Sequence, residues 1–174
     1  DGAGPLTSPV HQTGYDNLDR VTSQTGPLNN VTTYTYDTIA RTVTTTQPDP
    51  DNIFGQPSPV TSAIFDARRL LASTTDPLGN VTSYQYDGAG RLVQGTQPDP
   101  DGAGWQTSPV FQYAYDNVGN LTSAIDPLSH TTSYAYDRIN RRTSVTQPDP
   151  DGAGSLASPV TNYAFDAAGL LQSV

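Results

Sequence analysis

Residues 76–92 read Asp-Pro-Leu-Gly-Asn-Val-Thr-Ser-Tyr-Gln-Tyr-Asp-Gly-Ala-Gly-Arg-Leu. Turn chemistry stands at both ends of this stretch. Pro77 presets φ at the second position of one turn. Asp87 opens another, where a carboxylate can accept backbone N–H groups and Gly90, in the fourth position, tolerates positive φ. The residues between are a short alternating run rich in Thr and Tyr, which favours a strand. Turn, strand and turn within 17 residues is a hairpin pattern, and it decides the fold class.

The pattern recurs throughout. Ser-Pro-Val begins at Ser8, Ser58, Ser108 and Ser158, and Gln-Pro-Asp-Pro-Asp at Gln47, Gln97 and Gln147, always in steps of 50 residues. An aromatic-Asp pair marks each half of the unit: Tyr15-Asp16, Tyr36-Asp37, Phe65-Asp66, Tyr86-Asp87, Tyr115-Asp116, Tyr136-Asp137 and Phe165-Asp166. Their spacing alternates between 21 and 29, so two related half-units alternate and one carries 8 extra residues. The expected organisation is one continuous array over 1–174, with repeats at 8–57, 58–107, 108–157 and a partial copy at 158–174. The extra residues fall in Pro/Asp/Gly loops near 1–9, 47–59, 97–109 and 147–159, whose prolines fix several φ angles.

In the third repeat, Val110 to Tyr115, Leu121 to Ile125, Thr131 to Tyr136 and Arg141 to Thr146 alternate as strands, which predicts four strands per repeat. After the aromatic-Asp pair the fourth turn position holds Asp19, Gly90, Gly119, Asn140 or Gly169, all tolerant of positive φ. Ala40 and Arg69 depart from that rule, and each of those turns is expected to take another geometry or to bear strain of about 1 kcal/mol. Gly26-Pro27-Leu28-Asn29-Asn30, Asp76-Pro77-Leu78-Gly79-Asn80 and Asp126-Pro127-Leu128-Ser129-His130 read as a second turn type.

Composition agrees with strands and turns. All 17 acidic residues are Asp and all 8 basic ones Arg; Glu, Lys, Met and Cys are absent, while Thr numbers 24 and Gly and Pro 15 each. Missing helix formers exclude a helical protein, and missing Cys excludes disulfides, thiolate metal sites and a Cys nucleophile. Only 33 residues are Leu, Ile, Val or Phe, so the core is thin and has to be spread over the repeats, with Tyr, Val, Leu and Ile inward and Thr, Ser and Gln toward water. A net charge of −9 with no basic stripe disfavours nucleic acid, and no apolar run is long enough to span a membrane.

The string at 76–92 resembles the repeat of the YD-repeat, or Rhs (rearrangement hotspot), family, through Asp76, Pro77, Gly79, Thr82, Tyr84, Tyr86, Asp87, Gly90, Arg91 and Leu92. That family includes bacterial Rhs toxins, insecticidal toxin-complex subunits and the teneurins. The resemblance implies an elongated or spiralling sheet of antiparallel hairpins, secretion or surface display, and in the best-known members a hollow shell around a toxic segment. This chain departs from shell formers in its strict period and in showing no toxin junction, self-cleavage region or plug domain. Its start at Asp1 and end at Val174, partway through a repeat, read as a window cut from a longer array.

The candidate sites are few. Asp49, Asp51, Asp99, Asp101, Asp149 and Asp151 pair up in the long loops and are the candidate calcium ligands, although calcium's need for six to eight oxygens makes plain turn chemistry the expectation. As an acid-base dyad they recur too regularly for a singular pocket. His11 and His130 are read as solvated turn residues. Asn30, Asn80 and Asn120 open glycosylation sequons. The Tyr34/Tyr36, Tyr84/Tyr86 and Tyr134/Tyr136 columns offer a stacking surface for sugars, but at least one of each pair is expected in the core.

These readings lead to a non-catalytic, extracellular or cell-surface structural protein without a cofactor. Its repeats are expected to form a fibre shaft, each advancing about 19 Å if its strands continue one sheet. The alternatives are the wall of an Rhs-type toxin shell and a glycan-binding adhesion module using Trp105 or the tyrosines. Self-association, or continuation by the same repeat, is the expected partnership.

Overall fold

The computed structural model describes residues 10–50, 57–102, 104–152 and 154–174. Among them are 15 strands and no helix: β1 (Gln12–Tyr15), β2 (Val21–Thr25), β3 (Val31–Asp37), β4 (Thr42–Thr46), β5 (Val60–Phe65), β6 (Leu71–Thr75), β7 (Val81–Tyr86), β8 (Leu92–Thr96), β9 (Val110–Tyr115), β10 (Leu121–Ile125), β11 (Thr131–Tyr136), β12 (Arg142–Thr146), β13 (Val160–Asn162), β14 (Ala164–Phe165) and β15 (Leu171–Ser173). The first 13 hydrogen-bond in simple chain order, and β14 pairs with β15. The fold is all-β, an antiparallel sheet of successive hairpins.

The chain divides into two compact units, residues 1–83 and 84–174, with the boundary inside β7. In the first unit, β3 and β4 align Tyr34 with Thr45 and Tyr36 with Val43, and β4 and β5 align Val43 with Ala63. In the second, Tyr113 faces Ala124 and Tyr134 faces Val145. Directly opposed residues share a sheet face. These rings have a small or β-branched neighbour across the strand, which leaves each ring room to lie down.

The opposite face of the first unit carries no ring; hydroxyls dominate it, with Ser23 paired to Thr33, Thr33 to Thr46 and Thr44 to Ser62, beside Val31, Val60 and Ile64. Successive side chains point to opposite faces, so the alternation of Thr with Tyr in β3 assigns the rings to one face and hydroxyls to the other.

The expected core needs correction. None of the described residues is buried; the tyrosines at 34, 36, 84, 86, 134 and 136 are half-buried. Within each unit, no second layer of strands is stacked on the sheet to exclude water from its faces. Apolar stabilisation therefore comes from rings lying across neighbouring strands. The last copy also differs from the expected strand pattern, because Tyr163 separates β13 from β14 and donates its N–H to the Thr143 carbonyl at 2.8 Å.

Each long loop is closed at its base by one backbone bond of 2.9 Å, from Gln47 to Pro59, Gln97 to Pro109 and Gln147 to Pro159. Residues 1–9 and 51–56 of the predicted loops lie outside the described residues. Hairpin order places all aromatic-Asp turns at one end of the strands. The Pro-Leu turns and long loops alternate at the other.

Candidate functional site: the aromatic-Asp turns

The turn at Asp16 shows the design. Its N–H donates to the Arg20 carbonyl at 2.9 Å, and the Asp19 N–H donates back to the Asp16 carbonyl at 3.1 Å. Asp19 has φ of 57°, which makes a type I turn followed by a left-handed residue. One carboxylate oxygen accepts the N–H groups of Leu18 (2.8 Å) and Arg20 (3.0 Å). The other accepts the Arg20 Nε at 2.7 Å. One side chain thus satisfies two backbone donors and one cation in five residues.

The two turn types expected from sequence are one geometry. At Asp76, Leu78 and Asn80 donate their N–H groups to one carboxylate oxygen, both at 2.9 Å, and the Asn80 amide donates to the other at 2.8 Å. At Asp126 the ring of His130 takes the place of the Asn80 amide, 2.9 Å from the carboxylate. Proline at the second position leaves this pattern untouched, because that residue's N–H is not used.

These contacts hold carboxyl groups below the ordinary carboxylate value. At Asp16 the chief cause is the Arg20 side-chain hydrogen bond, at Asp76 that of Asn80, and at Asp87, Asp126 and Asp137 the backbone N–H of Arg91, His130 and Arg141. Partial burial is the largest influence at Asp116 and raises it, but the bonds from Asn120, Val118 and Gly119 outweigh it.

The same arginines link one turn to the next aromatic residue. The guanidinium of Arg20 lies 4.3 Å from the Tyr36 ring centre, Arg91 4.8 Å from Tyr115 and Arg141 4.4 Å from Phe165. The tyrosine hydroxyl completes the link: Tyr36 donates to the Val21 carbonyl at 2.8 Å, Tyr115 to Leu92 at 3.0 Å and Tyr136 to Leu121 at 3.0 Å. Each acceptor is the fifth residue after the preceding Asp. At Val21 and Leu121 the ladder steps over one residue. The bulge leaves an inward-turned carbonyl, and the next tyrosine caps it. The periodic spacing showed these tyrosines; that their hydroxyls cap a neighbouring turn needed the bulge.

The turns at Asp37 and Asp66, where the sequence departs from rule, resolve differently. The β3–β4 ladder runs without a bulge through Asp37 and Thr42, the Asp37 carboxylate binds the N–H groups of Ile39 and Ala40, and Arg41 takes φ of 54°. Another geometry thus spares Ala40. Arg69 keeps the ordinary turn with φ of 65° and bears its strain.

In the long loops, Asp99 accepts the Asp101 N–H at 3.2 Å and Asp101 the Gln106 N–H at 3.2 Å; Asp149 and Asp151 repeat this with Asp151 and Leu156. A Cβ at Gly104 would displace the Asp101 carboxylate. Among the described residues no group of three or more acidic, His or Cys side chains is placed to hold a metal ion; Asp51 lies outside them. Asn80 and Asn120 use their amide nitrogens as turn donors, and Asn30 is exposed. His11 is exposed ahead of β1. Trp105 is 88% exposed on its loop. No helix among the described residues is long and apolar enough to cross a membrane.

A chain whose every second turn is anchored by Asp, most of them bulged and several capped by the hydroxyl of a following tyrosine, is a tandem β-hairpin repeat protein. The family model of the Rhs repeat matches this chain at residues 65–103 and 115–153. No curated protein matches the sequence. Among solved structures the chain resembles TcdB2-TccC3 in complex with Cdc42, at 18% identity and a TM-score of 0.68, covering 94% of this chain and 9% of that one. It also resembles TcdB2-TccC3 without its hypervariable C-terminal region, at 18% identity and 0.67, with the same coverage. A third is the Photorhabdus luminescens Tc holotoxin pore, at 19% identity and 0.67, covering 92% and 8%. The likeness is one of fold, and the chain spans less than a tenth of each of those chains.

Proposed function

We propose that this chain is a wall segment of an Rhs-type shell, a non-catalytic scaffold that encloses another part of its own protein and is exported from the cell. The observation that carries the reading is that none of the described residues is buried and that, in the first unit, one sheet face carries the rings while the other carries hydroxyls with exposed Val31, Val60 and Ile64. A lone sheet with two different faces suits a wall with an inside and an outside. The Rhs repeat and the likeness to TcdB2-TccC3 assemblies support the same reading, and they favour it over the fibre shaft that the strict period suggests. Exposed apolar residues at the turn tips, such as Leu28 at 82% and Leu78 at 87%, offer contact to further protein of the same array. The aromatic-Asp turns have no chemistry to spare, since their carboxylates are occupied by turn donors.

Electron microscopy of the full-length native protein tests this. Closed hollow particles with enclosed density are expected. Open filaments built from the repeat would overturn it in favour of the fibre.

A further inference from the structure

The two turns that depart from the rule belong to successive hairpins, β3–β4 and β5–β6, and both line one pocket of about 540 Å³. Its walls include Tyr36, Asp37, Arg41, Phe65, Asp66 and Arg69. That volume lies within the range of about 300–1,000 Å³ usual for small-molecule sites.

The pocket is the space that a guanidinium fills elsewhere. Arg20, Arg91 and Arg141, each four residues after a turn Asp, cover the next aromatic ring at 4.3–4.8 Å. Arg41 holds the same place after Asp37, and Phe65 is the ring it would cover. The unbulged turn leaves Arg41 in a left-handed conformation instead, and no guanidinium stacks on Phe65. Among the described residues neither Arg41 nor Arg69 has an ion pair or side-chain hydrogen bond. Of the wall's two carboxylates, Asp66 is engaged through both oxygens by Leu70 and Arg68, while Asp37 receives Ile39 and Ala40 on one oxygen and pairs with neither arginine. A chain of net charge −9 thus places two unpaired cations beside an uncovered aromatic ring, and both sit on left-handed backbone.

We propose that this pocket binds a small ligand carrying a carboxylate on an apolar ring. The carboxylate meets Arg41 and Arg69, whose planar forks match its two oxygens, and the ring covers Phe65. Occupation supplies what the other repeats build in: a planar group over the aromatic ring and partners for the charges.

Titration of the 174-residue chain with benzoate, followed by ligand-observed NMR, tests the proposal. Saturable benzoate binding is expected, with the neutral isostere benzamide and inorganic phosphate each at least about tenfold weaker. Arg41→Ala and Arg69→Gly are expected to weaken benzoate by about tenfold or more, and Arg138→Ala, on a different turn, to leave it unchanged. Arg69→Gly relieves backbone strain, so loss of binding there is not loss of fold. Absence of saturation overturns the proposal, as does full binding in both pocket variants. Equal binding of benzamide reduces the pocket to an apolar cleft, and equal binding of phosphate to an anion site; either result also overturns it.

Discussion

Arg69 is a single residue on which sequence and structure can be tested against each other. Its φ of 65° lies in the left-handed region where Gly79, Gly90, Gly119 and Gly169 have φ of 81–101°, and where a Cβ approaches the following carbonyl. Arg69→Gly is expected to raise stability by about 1 kcal/mol, read from urea unfolding, whereas Arg69→Ala keeps the Cβ and the strain and gains nothing comparable. An unchanged or lower midpoint for Arg69→Gly would refute the strain. Such departures were legible in the sequence, because the turn rule names one position and Ala40 and Arg69 break it. What was not legible is how each is resolved. In the Asp37 turn the carboxylate moves to the Ile39 and Ala40 N–H groups and the ladder loses its bulge, while the Asp66 turn keeps both of its usual N–H bonds, from Arg68 and Leu70. Tyrosine shows the same division. Its recurrence was visible from spacing, but Tyr136 bonding to the Leu121 carbonyl depends on a bulge that spacing does not reveal.

At the scale of the hairpin, the turns depend on ionised carboxylates. Asp16, Asp66, Asp76, Asp87, Asp126 and Asp137 are all held below the ordinary value of 3.8 in the folded chain. The unfolded chain therefore binds more protons than the folded one between the depressed values and about 3.9, and stability increases with pH across that window. It is fully present above the unfolded value and is lost as pH falls through the folded ones. Urea midpoints should stay level from neutral pH down to about pH 5 and then fall steeply below about pH 4. Asp76→Asn retains a carbonyl oxygen for the Leu78 and Asn80 N–H groups but cannot titrate, so it should make that fall shallower. A parent profile that is flat to pH 2 would show that the turns do not need the charge. The acceptor role of Asp was legible from its position before each turn. The identity of the two turn types was not, because Pro in one and an aromatic before the other hide that the carboxylate uses the same backbone donors in both.

For the whole molecule the relevant fact is that strands β1 to β13 bond only to their neighbours in chain order. Four strands per repeat were legible from alternation, but a buried core was expected and is absent among the described residues, since composition counts apolar residues without saying whether a second layer exists to cover them. Stability in such an array comes from each hairpin and its contacts with the next. A repeat can then be removed without breaking any contact that lacks an equivalent. Excision of residues 97–146 joins Thr96 to Gln147, which restores the Thr-Gln-Pro-Asp-Pro-Asp sequence of the intact junction and leads into another long loop. The strand that follows is Val160–Asn162 in place of Val110–Tyr115, so Phe111 gives way to Thr161 but the period is kept. The shortened chain is expected to fold, to unfold cooperatively in urea, and to show a denaturant slope lower roughly in proportion to the surface removed. A chain held together by long-range packing would instead lose its transition, since 50 of its 174 residues would be gone. Retention of the transition with a smaller slope therefore separates neighbour-by-neighbour stabilisation from a shared core, and loss of the transition would mean that distant hairpins depend on one another.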